Sequence, residues 1–322
     1  MTRNLMVFLI TLIGLGIFLA GCAAAPTASL PEQAATPAAS VWTLYAPAST
    51  SSIPVILAAK KMGNVNLVLY TDQVQANTLF LRGEAPVMIS GLSVGMDLFR
   101  NQAPVQVANT YVTGLSYLVT YDKPVSSFAE LKGQQIYIPF EGSPIEQVTV
   151  YLAGVEGLTW KTDLQPVYSP FDASVTLLKQ GKLTAVVLPE PNVSLVENQP
   201  NVYISLSLYD AWNKANPGAN GYPQVGTFVN TDWGRTHGAE IAAFNQALTE
   251  AIAEVQKDPA AAIETVKANY KFSAEILLKS LSRTRYELVT GTDMQQAIET
   301  YYRMIGKPLD ETVKGFYYSA DQ

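Results

Sequence analysis

The stretch 173–191, ASVTLLKQGKLTAVVLPEP, runs from a helical segment over 173–180, past Gly181, into a β-rich run over 184–188. It ends on a turn in which Glu190 stands between Pro189 and Pro191. A helix that hands over to a short apolar strand is one beat of an α/β chain with parallel strands. The same beat is legible in both directions. Upstream, strands are expected over 41–45, 65–70, 87–90, 105–108 and 116–120, alternating with helices over 53–62 and 74–82 and one that opens at 91–93 and ends near Arg100. Ser52 and Pro54 are the expected N-cap and first-turn residues of the helix over 53–62. The polar stretch 109–115 separates the fourth and fifth strands, and after Tyr121 the rhythm restarts: a short helix over 128–133, strand 135–139, helix 145–153 and strand 164–168. Downstream of the opening stretch come a helix over 192–197 and strands over 202–206 and 225–229. Beyond them the chain reads as almost wholly helical, with helices over 238–257, 259–269, 273–282 and 293–304.

At the other end of the chain, Arg3 precedes an apolar run over 5–19, and Leu19-Ala20-Gly21 leads into Cys22, the only cysteine. A charged region, an apolar region too short for a bilayer span and small residues before a cleavage point make a secretory signal. The segment Leu19 to Cys22 resembles the bacterial lipobox, which implies cleavage after Gly21 and acylation of Cys22. Residues 1–21 are then a signal peptide and 22–40, rich in alanine, proline, threonine and serine, a tether. The expected location is the extracytoplasmic face of the cell membrane, held by the lipid anchor.

With a single cysteine no internal disulfide is possible, so the core rests on apolar burial, consistent with 48% hydrophobic content. The net charge of −6 and scattered Lys and Arg argue against a nucleic-acid partner. One histidine, His237, leaves no set for zinc or a hydrolytic triad, and no cofactor is called for.

Several segments in order carry a resemblance: 81–90 (LRGEAPVMIS), 127–136 (SFAELKGQQI), 140–144 (FEGSP), 179–187 (KQGKLTAVV, with Thr184 where an aspartate is usual) and 188–191 (LPEP). The series resembles the two-lobed solute-binding proteins of ABC importers, in the branch that includes nitrate, sulfonate, taurine, bicarbonate and thiamine-precursor binders. The resemblance implies a type II periplasmic-binding-protein-like α/β fold with two hinge crossings and a helical C-terminal tail. Lobe 1 is expected over 41–120 plus 225–322 and lobe 2 over 121–224, with crossings near Tyr121 and 222–227. A small solute in the cleft and an ABC permease are the implied partners, and the chain is expected to act as a monomer and not as an enzyme.

Strand ends facing such a cleft supply the candidate ligand-binding residues. In lobe 1 these are Ser49, Thr50 and Ser51 after the first strand, Asp72 after the second, and Ser90 and Ser93 around the third. In lobe 2 they are Phe140, Glu141, Gly142 and Ser143 at a helix start, Asp172, and Glu190. Helix capping is the competing role for Ser49, Thr50, Ser51, Ser143, Asp72 and Asp172, a structural turn for Ser90 and Ser93, and a surface turn for Glu190. Tyr111, Tyr117, Tyr168 and Phe171 are candidates for stacking on a planar solute. Four acids and no Lys or Arg in these loops favour a neutral or cationic, heteroaromatic or amine-bearing solute of the vitamin-precursor kind. The alternatives are an oxyanion such as sulfonate or nitrate, a ligand-sensing role, and, less favoured, a pyrimidine-synthesis-like enzyme.

Overall fold

A computed structural model describes residues 40–319. The signal segment, Cys22 and the tether lie outside the described residues. Strands β1 (Trp42–Pro47), β2 (Val65–Tyr70), β3 (Val87–Gly91), β4 (Val105–Gly114), β10 (Val225–Asn230) and β11 (Arg285–Val289) form a six-stranded sheet in the order β11-β4-β10-β3-β1-β2. Strands β5 (Ser116–Tyr121), β6 (Gln135–Ile138), β7 (Gln165–Tyr168), β8 (Ala185–Pro189) and β9 (Val202–Ser207) form a five-stranded sheet in the order β7-β6-β8-β5-β9. Each sheet with its helices is one lobe of a two-lobed α/β fold.

The strands are not all parallel, as the alternating pattern had suggested. β1, β2 and β3 run parallel, as do β6, β7 and β8, but β10 is antiparallel to β3 and β4, and β5 to β8 and β9. β5 and β10 stand next to the crossings, where the chain arrives in its new lobe reversed, and the edge strand β11 is antiparallel to β4.

The sheets divide at Leu115, so β5 belongs to lobe 2 and not, as expected, to lobe 1. Both of its faces are covered there: Leu118 packs into the core that includes Phe128 and Ile138, while Tyr117 and Val119 pack with Val175, Val186 and Val196. β4 also runs on through the polar residues expected to form a loop, because Asn109 finds partners on the neighbouring strand β10 and on helix Gly238–Lys257. Its Oδ1 accepts from Thr227 N (3.2 Å) and its Nδ2 donates to Asn245 Oδ1 (2.7 Å). β11, an edge strand with irregular register, interrupts the tail that reads as helical.

The opening stretch folds as its glycine requires. Helix Phe171–Lys179 ends with Gly181 N bonding Leu178 O and Lys182 N bonding Leu177 O, both 2.9 Å, the paired closure of a left-handed C-terminal cap. Gly181 has φ +65°, and a Cβ there would lie 2.8 Å from the Tyr121 ring. No helix among the described residues is long and apolar enough to cross a membrane.

One apolar core is continuous between the lobes. Its seam is Trp212 on helix Leu208–Ala215, with ring centroids 4.9 Å from Tyr151 of lobe 2, 5.2 Å from Tyr222 in the second crossing and 5.6 Å from Tyr301 of the C-terminal helix Gly291–Met304. Trp212 is 1% exposed. Trp212→Ala is expected to lower the unfolding free energy by about 3–5 kcal/mol, measured by urea denaturation.

Candidate functional site

The carboxyl ends of β1, β2, β3, β6 and β8 face one another across the lobes and border a half-open cavity of about 150 Å³. Lobe 1 contributes Ser49, Ser51, Tyr70, Gln73, Ser90 and Gly91, and lobe 2 contributes Phe140, Ser143, Phe171 and Pro189. Leu115 and Gln224 of the two crossings also line it. No charged side chain is among its lining residues.

The lobe 1 wall is built by loops that leave the sheet and turn at once into helices. After β1, a single 3-10 turn over Thr50–Ser52 leads into helix Ile53–Met62. Ser52 does not cap that helix with its side chain; its hydroxyl donates back to Pro47 O (2.5 Å) and closes the loop. Ser49 and Ser51 hydroxyls bond each other at 2.7 Å, and the Tyr111 hydroxyl donates to Ser51 O (3.0 Å) from behind. At the end of β3, Ser90 donates to Gln73 Oε1 (3.2 Å), while Tyr70 donates to Ile89 O (2.9 Å). Burial raises the Tyr70 phenol, so it remains a neutral donor.

The lobe 2 wall depends on Glu146. Ser143 caps helix Pro144–Val155 by accepting from Glu146 N (3.1 Å), and Glu146 Oε2 reaches back to accept from Gly142 N (2.5 Å). Its other oxygen accepts from Trp160 Nε1 (3.1 Å) and the Tyr168 hydroxyl (2.5 Å). One buried carboxylate thus fastens the loop that carries Phe140 and Ser143.

Of the residues singled out from sequence, Ser49, Ser51, Ser90, Phe140, Ser143 and Phe171 line the cavity. The four acids do not. Asp72 caps helix Gln73–Leu81, accepting from Val74 N (2.9 Å) and Gln75 N (3.0 Å). Glu141 is exposed and paired with Lys161 at 2.6 Å, and Asp172 is exposed in the first turn of a helix whose N-cap is Pro170. Glu190 is wholly buried, but against Ser194 and Arg283. Gln73 and Gln224, which the structure brings to the cavity, went unread because an isolated glutamine carries no motif.

Thr50, Ser93 and Gly142 join the lobes instead of lining the cavity. Ser93 donates to Gly142 O (2.8 Å), and Thr50 Oγ1 lies 3.5 Å from Glu190 O and 3.0 Å from Thr284 Oγ1. At Gly91 a Cβ would lie 2.5 Å from Pro144 Cγ, so only glycine permits this approach of the lobes. Tyr117 donates to Arg283 O (2.8 Å), its phenol pushed up to about 12 by burial. Among the described residues no group of three His, Cys, Asp or Glu side chains is placed to hold a metal ion.

The sequence matches the family described as NMT1/THI5 like over residues 61–262. This chain belongs to that family. No curated protein sequence matches it. Among solved structures, the fold is similar to the ligand-binding component of an ABC-type import system from Staphylococcus aureus, determined with zinc bound. The TM-score is 0.71 at 12% identity, covering 87% of this chain and 97% of that one. The periplasmic aliphatic sulphonate-binding protein SsuA of Escherichia coli superposes with TM-score 0.70 at 15% identity, over 88% of this chain and 93% of that one. A Candida albicans protein described as having the generic periplasmic binding protein fold gives TM-score 0.64 at 14% identity, over 86% and 96%. At these identities the likeness is one of fold, and the fold is that of a periplasmic binding protein.

Burial holds the Glu190 carboxyl above its ordinary range, against the opposing pull of Ser194 and Arg283. The folded protein therefore binds this proton more tightly than the unfolded chain. Its contribution to stability is present below the ordinary carboxylate value and is lost as pH rises through the elevated one. Measured melting temperatures are expected to show wild type gaining on Glu190→Gln between pH 7 and pH 5, since glutamine mimics the protonated form throughout.

Proposed function

We propose that this protein is the extracytoplasmic solute-binding component of an ABC importer. It captures a small, uncharged, single-ring solute between its lobes and presents the closed form to a permease. The observation that carries this reading is the interlobe cavity: both lobes and both crossings contribute to one half-open space, the arrangement needed for a ligand to drive closure. Membership of the family and the fold shared with import-system binding components support it. Acylation at Cys22, after export by the preceding signal, would keep the protein at the membrane where the permease sits.

The size and lining of the cavity support this solute class. About 150 Å³ is the volume of a site that holds a benzene-sized ring. Proline, leucine and phenylalanine side chains supply flat apolar walls, and serine hydroxyls, Tyr70 and two glutamine amides supply donors and acceptors at the edges. The amine-bearing solute expected from sequence loses its basis, because the four acids that motivated it point elsewhere. The neutral heteroaromatic member of that expectation, of the vitamin-precursor kind, keeps its support. Catalysis has less: His237 stacks on Trp233 at 4.3 Å and bonds Trp233 O at 2.9 Å, and it does not line the cavity.

A sulfonate is the second reading. Helices Ile53–Met62, Leu92–Arg100 and Pro144–Val155 all begin at the cavity wall, and helix N-termini favour an anion without any cationic side chain.

A thermal-shift panel of pyrimidines, other neutral heterocycles, amines, sulfonates and nitrate separates these readings. A ligand at 100 times its Kd adds about 2.7 kcal/mol to stability. Neutral heterocycles are expected to shift the transition; a shift with sulfonates alone replaces the first reading by the second, and a flat panel refutes both. Gly91→Val is expected to weaken binding of the hit at least tenfold by propping the lobes apart at Pro144. Asp72→Asn and Glu141→Gln are expected to leave its affinity unchanged, as read by titration calorimetry.

A further inference from the structure

We infer that Arg283 is a positioning residue that ties the lobes closed and holds the solute-facing loop after β1 in place, an inference that rests on the solute-binding reading above. Arg283 ends helix Ala274–Arg283, which leads directly into β11 of the lobe 1 sheet. Its guanidinium crosses to lobe 2. Nη1 donates to Ser194 Oγ (3.0 Å) and lies 3.4 Å from Glu190 Oε1, and Nη2 bonds Glu197. Lys279, one turn earlier on the same helix, adds a longer pair to Glu197 at 3.7 Å. Among the described residues, the ion pairs that join the two lobes are those of Arg283 and Lys279.

This contact differs from an ordinary surface pair, whose worth is small. The Glu190 side chain has no exposed surface and that of Arg283 only 21%. Removing one partner therefore strands a charge out of water, and separating the lobes restores its hydration. The next residue carries the effect to the cavity. Thr284 Oγ1 bonds Thr50 Oγ1 (3.0 Å), Thr50 also reaches Glu190 O (3.5 Å), and Thr50 stands between Ser49 and Ser51 of the cavity wall. Tyr286, two residues further on, donates to Thr50 O (2.6 Å). The segment 283–286 thus grips lobe 2 at one end and the solute-facing loop at the other.

The test uses the full chain without any solute, so that a panel lacking binders, which would refute solute capture, leaves this result readable. Amide hydrogen exchange and small-angle scattering are compared for wild type, Arg283→Gln, Arg283→Lys and the surface control Arg235→Gln. Arg283→Gln is expected to speed exchange about tenfold in both 48–56 and 190–198, to leave helix Gly238–Lys257 as protected as in wild type, and to enlarge the radius of gyration. Arg283→Lys should fall between the two, and Arg235→Gln should match wild type. The inference is overturned if both segments exchange as in wild type, if only 190–198 loosens, or if protection falls uniformly through helix Gly238–Lys257.

Discussion

The arrangement of the whole molecule hangs on the side chain and backbone of Gln224. Its Nε2 donates to Ser116 Oγ (2.7 Å) and its Oε1 accepts from Leu115 N (3.3 Å), which binds the second crossing to the first. Its own N–H donates to Val112 O and its carbonyl accepts from Leu92 N, both at 2.9 Å. At 4% exposure an unpaired amide here would be costly, and none of these groups is left unpaired. Four constraints meet in one residue: the pairing of the crossings, the register of β10 beside β4, the start of helix Leu92–Arg100, and one wall of the cavity. Lobe orientation and cavity shape are consequently set by the same few hydrogen bonds.

Much of this architecture was legible from local signals. Gly181 announced the end of one helix and the approach of β8, and the helix over 238–257 has the expected bounds. What escaped was the choice of partners. Nothing in the residues of β5 says which sheet they join, because a strand buried on both faces is apolar whichever neighbours it has. The continuation of β4 through Asn109 required knowing that Asn245 and Thr227 would meet its amide, and those residues are 136 and 118 positions away. β11 is short, at an edge and irregular in register, which leaves little periodicity to read.

The candidate site divides along the same line. Serines at strand ends could be placed at the cavity wall because the strand-to-helix passage itself is local. The acids were misjudged because proximity in sequence to a cleft loop says nothing about direction. Asp72 is drawn to the N–H groups of its own helix and Glu141 to Lys161. Glu190 is turned away toward Ser194. A cavity left with hydroxyls, amides and rings discriminates by shape and by the penalty of unmatched polar groups, the terms that separate a ligand bearing the right acceptor from one lacking it.

Helices Pro144–Val155 and Leu208–Ala215 lie on one face of the lobe 2 sheet and pack into the core shared with lobe 1, while helices Phe171–Lys179 and Asn192–Val196 pack on the other. The aromatic seam around Trp212 therefore borders one side of the cleft, and the charged contact of Arg283 the other. These two edges answer to different variables. Apolar packing weakens on cooling and is strengthened by excluded salts; a contact that includes the wholly buried Glu190 carboxyl answers instead to its protonation. A molecule so built is held along one edge by packing that follows temperature and along the other by a contact that follows acidity.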